Sequence, residues 1–246
     1  MKLQTIALTL IGQLLTVYAV SQTSAKSIDK ILSDGFQQLK NSDYDERYDS
    51  LAPAFKNALK KYLSSPVILD STLDTLETLI TIRQSTDKKI KFYSWDELTG
   101  GTWHAINSFV QFKGTGNKVL YKQLDTDKEM EDGGYTDSEI YQVHEIKEGS
   151  ETYYLTFGWG THGSGGQHQV VYLFRIEGDQ LIKCKSFMNG ETQLAFEYSR
   201  SDKLNLEFDN KIKTLSFDEF VENEEGEFAR KSGNRKTLKF SKGVFR

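Results

Sequence analysis

Apolar positions recur every three or four residues from Ser24 to about Gln84, then every second residue from Lys89 to the C-terminus. The first spacing is that of helices burying one face, the second that of strands. In AKSIDKILSDGFQQLK, residues Ile28, Ile31, Leu32, Phe36 and Leu39 fall on one stripe. Ser50 is placed to cap a second helix, SLAPAFKNALKKYL, with Pro53 in its first turn and Pro66 beyond its end. A third helix is predicted over DSTLDTLETLITIRQ, with Leu69, Leu73, Leu76 and Ile80 as the buried stripe.

From Lys89 onward the strand-like runs include KIKFYSW, TWHAINSFVQF, EIYQVHEI, ETYYLTFGW, QVVYLFRI, TQLAFEYS and KIKTLSF. Turn signals such as GTGN, KEGS, EGDQ and MNGE separate them. Connections this short cannot hold crossover helices, so consecutive strands pair antiparallel. The fold class that follows is α+β, with a helical segment over 22–86 and an antiparallel β domain over 87–246. A curved sheet, sandwich or barrel is expected, with a partial propeller as the alternative, because no motif repeats at a period of about 40 to 45 residues.

The first 21 residues stand outside that pattern. Lys2 precedes an apolar stretch from Ile6 to Val20, and the small residues Ala19 and Ser21 suit cleavage before Gln22. This predicts a signal peptide and an exported protein, periplasmic or extracellular; an uncleaved membrane anchor is the alternative. No later stretch is long and apolar enough to span a bilayer.

The chain has 31 Lys and Arg against 35 Asp and Glu, a net charge of −4 that becomes −5 without Lys2. That balance excludes a nucleic-acid partner, whose phosphates demand a basic face. The one basic cluster, RKSGNRKTLK, reads as a solvated turn between strands. The single cysteine, Cys184, leaves an exported fold without an internal disulfide, so a sizeable core must hold it together. In QLIKCKSF that cysteine alternates with Ile182 and Ser186 and reads as a small buried hydrophobe.

Candidate chemistry concentrates in FGWGTHGSGGQHQVVYLF, residues 157–174. Gly158, Gly160 and Gly163 match GxGxxG literally, but a strand follows instead of the helix whose N-terminus would meet a pyrophosphate. Ser164 fails as a nucleophile elbow for the same reason, and because His162 stands where that motif has glycine. His162 and His168 supply half a metal site at most, with His104 or His144 as the further ligand. The acidic segment 125–139 offers Asp125, Asp127, Glu129, Glu131 and Asp132, but Met130 occupies the place of the EF-hand glycine, leaving a weak calcium site or a solvated loop.

The tryptophans carry the remaining signal. Trp95, Trp103 and Trp159 lie at predicted strand ends near glycines, where they either close the end of the core or line a rim. A rim of Trp95, Trp103, Trp159, His162 and His168 would take a small molecule, a glycan or a protein. Asp96 and Glu97 are nearby but, adjacent on a strand, point to opposite faces and cannot act as a pair on one substrate. The leading expectation is a non-enzymatic binding or envelope module with no assigned cofactor. The alternative is a secreted hydrolase using His104, His162 and His168, with or without a metal.

FYSWDELTGGTWHAINSFVQF and YYLTFGWGTHGSGGQHQVVYLFRIEGDQL resemble a pattern in uncharacterised exported β-rich proteins of Bacteroidota-type bacteria. The resemblance covers about residues 89–190. It implies an exported bacterial protein and brings no activity or catalytic residue with it.

Overall fold

The structure is a computed structural model that describes residues 24–124, 138–161, 163–223 and 228–246, with only the backbone at Ser164. Residues 1–21, where a signal peptide is expected, His162 and residues 125–137 of the acidic segment lie outside the described residues.

Helix α1 spans Ala25–Asn41, with Ser24 Oγ accepting the Ser27 amide at its start. Ile28, Leu32, Phe36 and Leu39 are buried as the stripe requires, but Ile31 is exposed. The buried arc is rotated toward Asp29, whose carboxylate accepts the amides of Thr75 and Leu76 at 3.0 and 2.8 Å. Helix α2 runs without a break through Tyr44–Glu46, the π-helical Arg47–Leu51 and Ala52–Leu63.

Its cap is Asp43, which accepts the Glu46 amide at 2.9 Å. Ser50 lies inside the helix and donates to the Glu46 carbonyl. Pro53 has no N–H and its ring crowds the carbonyl four residues back. The wide π turn immediately before it accommodates both defects, so the helix starts at Asp43, about two turns earlier than the expected cap at Ser50.

The third helix of the sequence reading does not form. Ser65 caps a short helix α3, Pro66–Asp70, after which the chain passes through a 3-10 turn, Leu76–Thr78, into strand β1, Thr81–Gln84. Leu69, Leu73, Leu76 and Ile80 are nonetheless buried. Threonines at 72, 75, 78 and 81 weaken the helix, and Asp29 takes two amides that a helix would have used.

The strands form three antiparallel sheets that do not close into a barrel. The first is β1-β2-β3-β4, with β2 Ile90–Asp96, β3 Ile106–Lys113 and β4 Val119–Gln123. The second is β5 Glu139–Glu148, β6 Glu151–Thr161, β7 Gly166–Glu177 and β8 Gln180–Lys183. Strand β9, Gln193–Ser199, lies end to end with β8 along the same edge of β7. The third is β10 Leu206–Asp209, β11 Thr214–Val221, β12 Arg230–Ser241 and β13 Val244–Phe245.

Three cores stack these layers. Helix residues such as Phe36, Phe55 and Leu59 pack on Tyr93, Trp95 and Phe109 of the first sheet. The opposite face of that sheet, with Ile90, Phe92, Val110 and Phe112, meets Tyr154, Val170, Tyr172 and Phe174 of the second. Leu155, Phe157, Val171 and Leu173 turn from the second sheet toward Leu215, Phe217, Phe240 and Phe245 of the third. The first two sheets are thus covered on both faces, which is why VVYLF is an unbroken apolar run and YYLTF is buried along its whole length, Thr156 included.

The basic cluster is in strand β12, not in a turn. Lys231 lies 2.8 Å from Asp218, Lys236 2.5 Å from Glu219, and Arg235 3.3 Å from Glu207. Gly233, at φ 88°, allows the strand to bend where its register with β11 shifts. Cys184 follows β8 and packs at the core between the second and third sheets, where burial pushes its thiol up.

Candidate functional site

Along β2, Ile90, Phe92 and Asp96 alternate with Tyr93 and Trp95, so Asp96 leaves the strand on the side of the second sheet. Its Oδ1 accepts the Leu98 amide at 2.8 Å, and its Oδ2 lies 2.6 Å from His104 Nδ1. The loop between them, 97–105, is tied to three other elements. Arg47 of α2 donates to the Leu98 carbonyl at 2.9 Å, and the His104 amide donates to Thr161 Oγ1 at 2.8 Å. Arg200, just after β9, donates to the carbonyls of Thr102 and Gly166.

Gly100 is required for this path. A Cβ there would come within 1.7 Å of the Trp103 carbonyl oxygen, a collision with backbone that no side-chain rotation relieves.

The loop presents Trp103, 53% exposed, next to His104. The His104 ring lies 6.1 Å from that of Trp159, whose Nε1 donates to Gln167 Oε1 at 3.1 Å. Gln167 in turn donates to the carbonyls of Ser199 and Asp202. His104 and Trp159 therefore stand together beside Asp96, and Trp103, the residue before His104, is the exposed indole of the same loop. When Nδ1–H of His104 donates to Asp96, Nε2 is the nitrogen left to accept from a ligand.

Trp95 and His168 are not on this rim. Trp95 is 2% exposed under the helices, 5.8 Å from the Phe109 ring and 5.3 Å from that of Phe55. His168 is fully buried between the first two sheets, with Nε2 2.9 Å from Ser138 Oγ. His162 lies outside the described residues.

His144 is half-buried, 5.2 and 5.3 Å from the rings of Phe157 and Phe208, and this burial lowers its pKa. Among the described residues no group of three or more His, Cys, Asp or Glu is arranged to hold a metal ion.

Asp96 and Glu97 do take opposite faces. Burial raises the Glu97 carboxyl, against the opposing effects of Lys56 and a hydrogen bond from Asn107. The nearby Lys56 Nζ donates to Asn107 Oδ1 at 2.6 Å. The glycine-rich stretch is a β6–β7 hairpin whose tip is the 3-10 turn Gly163–Gly165, with Gly165 at φ 86°. Gly158 serves packing: a Cβ there would meet Val170, Ser138 and Ile140 within 3.3 Å.

The Asp96–His104 pair, Thr161, Gln167 and the arginines that hold the loop were not singled out as a unit by sequence reasoning. The available signal was SWDELTGGTWH, in which a carboxylate and an imidazole bracket a glycine pair between two strands that must be neighbours. Comparison of the chain with protein-family models, with curated proteins and with solved structures finds no match.

Proposed function

We propose that the protein is an exported, non-enzymatic module that holds a ligand or partner against the rim of Trp103, His104 and Trp159. The charged and apolar order of residues 1–21 supports the export. Among the described residues no helix is long and apolar enough to cross a membrane. The observation that carries the binding reading is a large exposed indole on a loop whose backbone is fastened to α2, β6 and the end of β9. A fastened loop loses little conformational entropy on binding, so more of the contact energy is realised as affinity.

Immobilised protein is to be challenged with envelope extract from a Gram-negative cell, alongside Trp103→Ala and Trp159→Ala. Components retained by the wild type and lost by either variant are the expected result. Identical retention by all three proteins would remove the rim as the binding surface.

The second reading, a secreted hydrolase with His104 as general base, is favoured by the 2.6 Å contact of its Nδ1 with Asp96. Hydrolysis of chromogenic esters that is lost in both His104→Gln and Asp96→Asn would select it.

A further inference from the structure

The first turns of α2 carry Tyr44 and Tyr48, 56% and 60% exposed, with their rings 6.1 Å apart and within 13° of parallel. They contribute to none of the three cores. Arg47 lies on the same stretch of helix and holds the Leu98 carbonyl, which brings this turn of α2 against the loop that presents Trp103. One exposed aromatic pair thus stands on the helix turn that holds this loop, and Trp103 stands exposed on the loop itself.

The charges around them decide what such a surface can hold. Arg47 donates to the carbonyls of Leu39, Ser42 and Leu98, and Arg200 to those of Thr102 and Gly166, so both guanidinium groups are engaged by backbone. Around the tyrosines the sequence is DYDERYD, with four carboxylates. A phosphate, sulfate or uronate would meet these acids next to the tyrosines. A neutral sugar would not: its C–H face packs on an aromatic ring, and its hydroxyls exchange hydrogen bonds with Tyr Oη and His104 Nε2.

We propose that the chain binds a neutral, linear glycan along a surface that runs from Tyr44 and Tyr48 past Leu98 to Trp103 and His104. This rests on the rim reading and adds to it the ligand class and the tyrosine station.

The test is affinity electrophoresis of the folded protein in native gels containing laminarin, galactomannan, xyloglucan, dextran or soluble starch, with heparin as the anionic control. Retardation by at least one neutral polymer and not by heparin is expected. Trp103→Ala and the double variant Tyr44→Ala/Tyr48→Ala each weaken it about tenfold or more. All three tested positions are more than half exposed, so unchanged circular dichroism is expected in the variants.

No retardation by any of the five polymers overturns the inference, and so does retardation that both variants retain. If retention from envelope extract still depends on Trp103 while every neutral polymer fails, the rim stands and its occupant is a protein.

Discussion

Lys91 is the most deeply buried charged side chain among the described residues. It is 3% exposed on β2, and its Nζ donates to the carbonyls of Ile68 and Ser71 at 2.8 and 2.6 Å, at the C-terminal end of α3. Burial lowers its pKa from 10.5 to about 8, although Glu77 and Asp70 favour the charged form. A folded pKa below the unfolded one means that the unfolded chain binds the proton more tightly. Stability must therefore rise as pH increases from about 8 to 10.5, and the cost of the buried charge is fully present below that window.

At 1.36 kcal/mol per unit, the whole window corresponds to about 3 kcal/mol, of which about 2 to 3 falls between pH 7 and pH 10. In Lys91→Met the titrating group is gone and the two carbonyls lose their donor. Near pH 7 the lost hydrogen bonds and the relieved charge offset one another, whereas at pH 10 only the loss remains. Urea denaturation followed by tryptophan fluorescence at pH 7, 8, 9 and 10 reads both proteins. The stability gap between wild type and Lys91→Met should widen by about 2 to 3 kcal/mol across that range. Parallel curves would refute the buried-lysine account.

Gly100→Ala should destroy the rim while sparing the cores: binding falls to the level of Trp103→Ala, and the urea midpoint moves by no more than a typical surface-loop change. Trp95→Ala should cost about 3 to 5 kcal/mol as a core truncation, while Trp95→Phe should cost far less, because Trp95 Nε1 has no hydrogen-bond partner among the described residues; denaturation midpoints of the two variants decide it. Cys184 should react with a disulfide reagent at pH 8 many-fold more slowly in the native protein than in urea, since burial raises its thiol; equal rates would show that the core between the second and third sheets is open there.

The strands were legible because period two survives in most of them, and the short turns fixed their antiparallel order. The misplacement of Trp95 and the surprise of Lys91 share one cause. In KIKFYSW, alternation puts Ile90 and Phe92 on one face and Lys89, Lys91, Tyr93 and Trp95 on the other. In a sheet with one wet face, the lysines would mark the second set as exposed and leave Trp95 free to join a rim. Here the helices cover that face, so Lys91 is buried with its charge on helix carbonyls and Trp95 fills the core.

His168 follows the same logic on β7. It shares a face with Val170, Tyr172 and Phe174, which points at the first sheet, and so it meets Ser138 instead of solvent. The third helix failed for a different reason. Burial of Leu69, Leu73, Leu76 and Ile80 was correctly read from spacing, but spacing alone does not distinguish a helix from a turn whose amides are taken by a distant carboxylate.

The order of the layers explains why the candidate site stands at one end of the stack. Each of the first two sheets is covered on both faces, so neither offers an open surface to a ligand. What the stack leaves open there is strand ends, and three of these meet: the β2–β3 loop, the β6–β7 hairpin and the residues after β9. The strands below them are paired on both edges, β2 by β1 and β3, and β7 by β6 with β8 and β9. Such strands open only with the most global unfolding. The rim is thus a surface loop mounted on the least mobile strands of the fold, and its geometry is set by the polar bonds from Asp96, Arg47, Thr161 and Arg200. Loss of any one of these bonds should loosen the loop and reduce binding without unfolding the strands that carry it, which separates the site's order from the protein's stability.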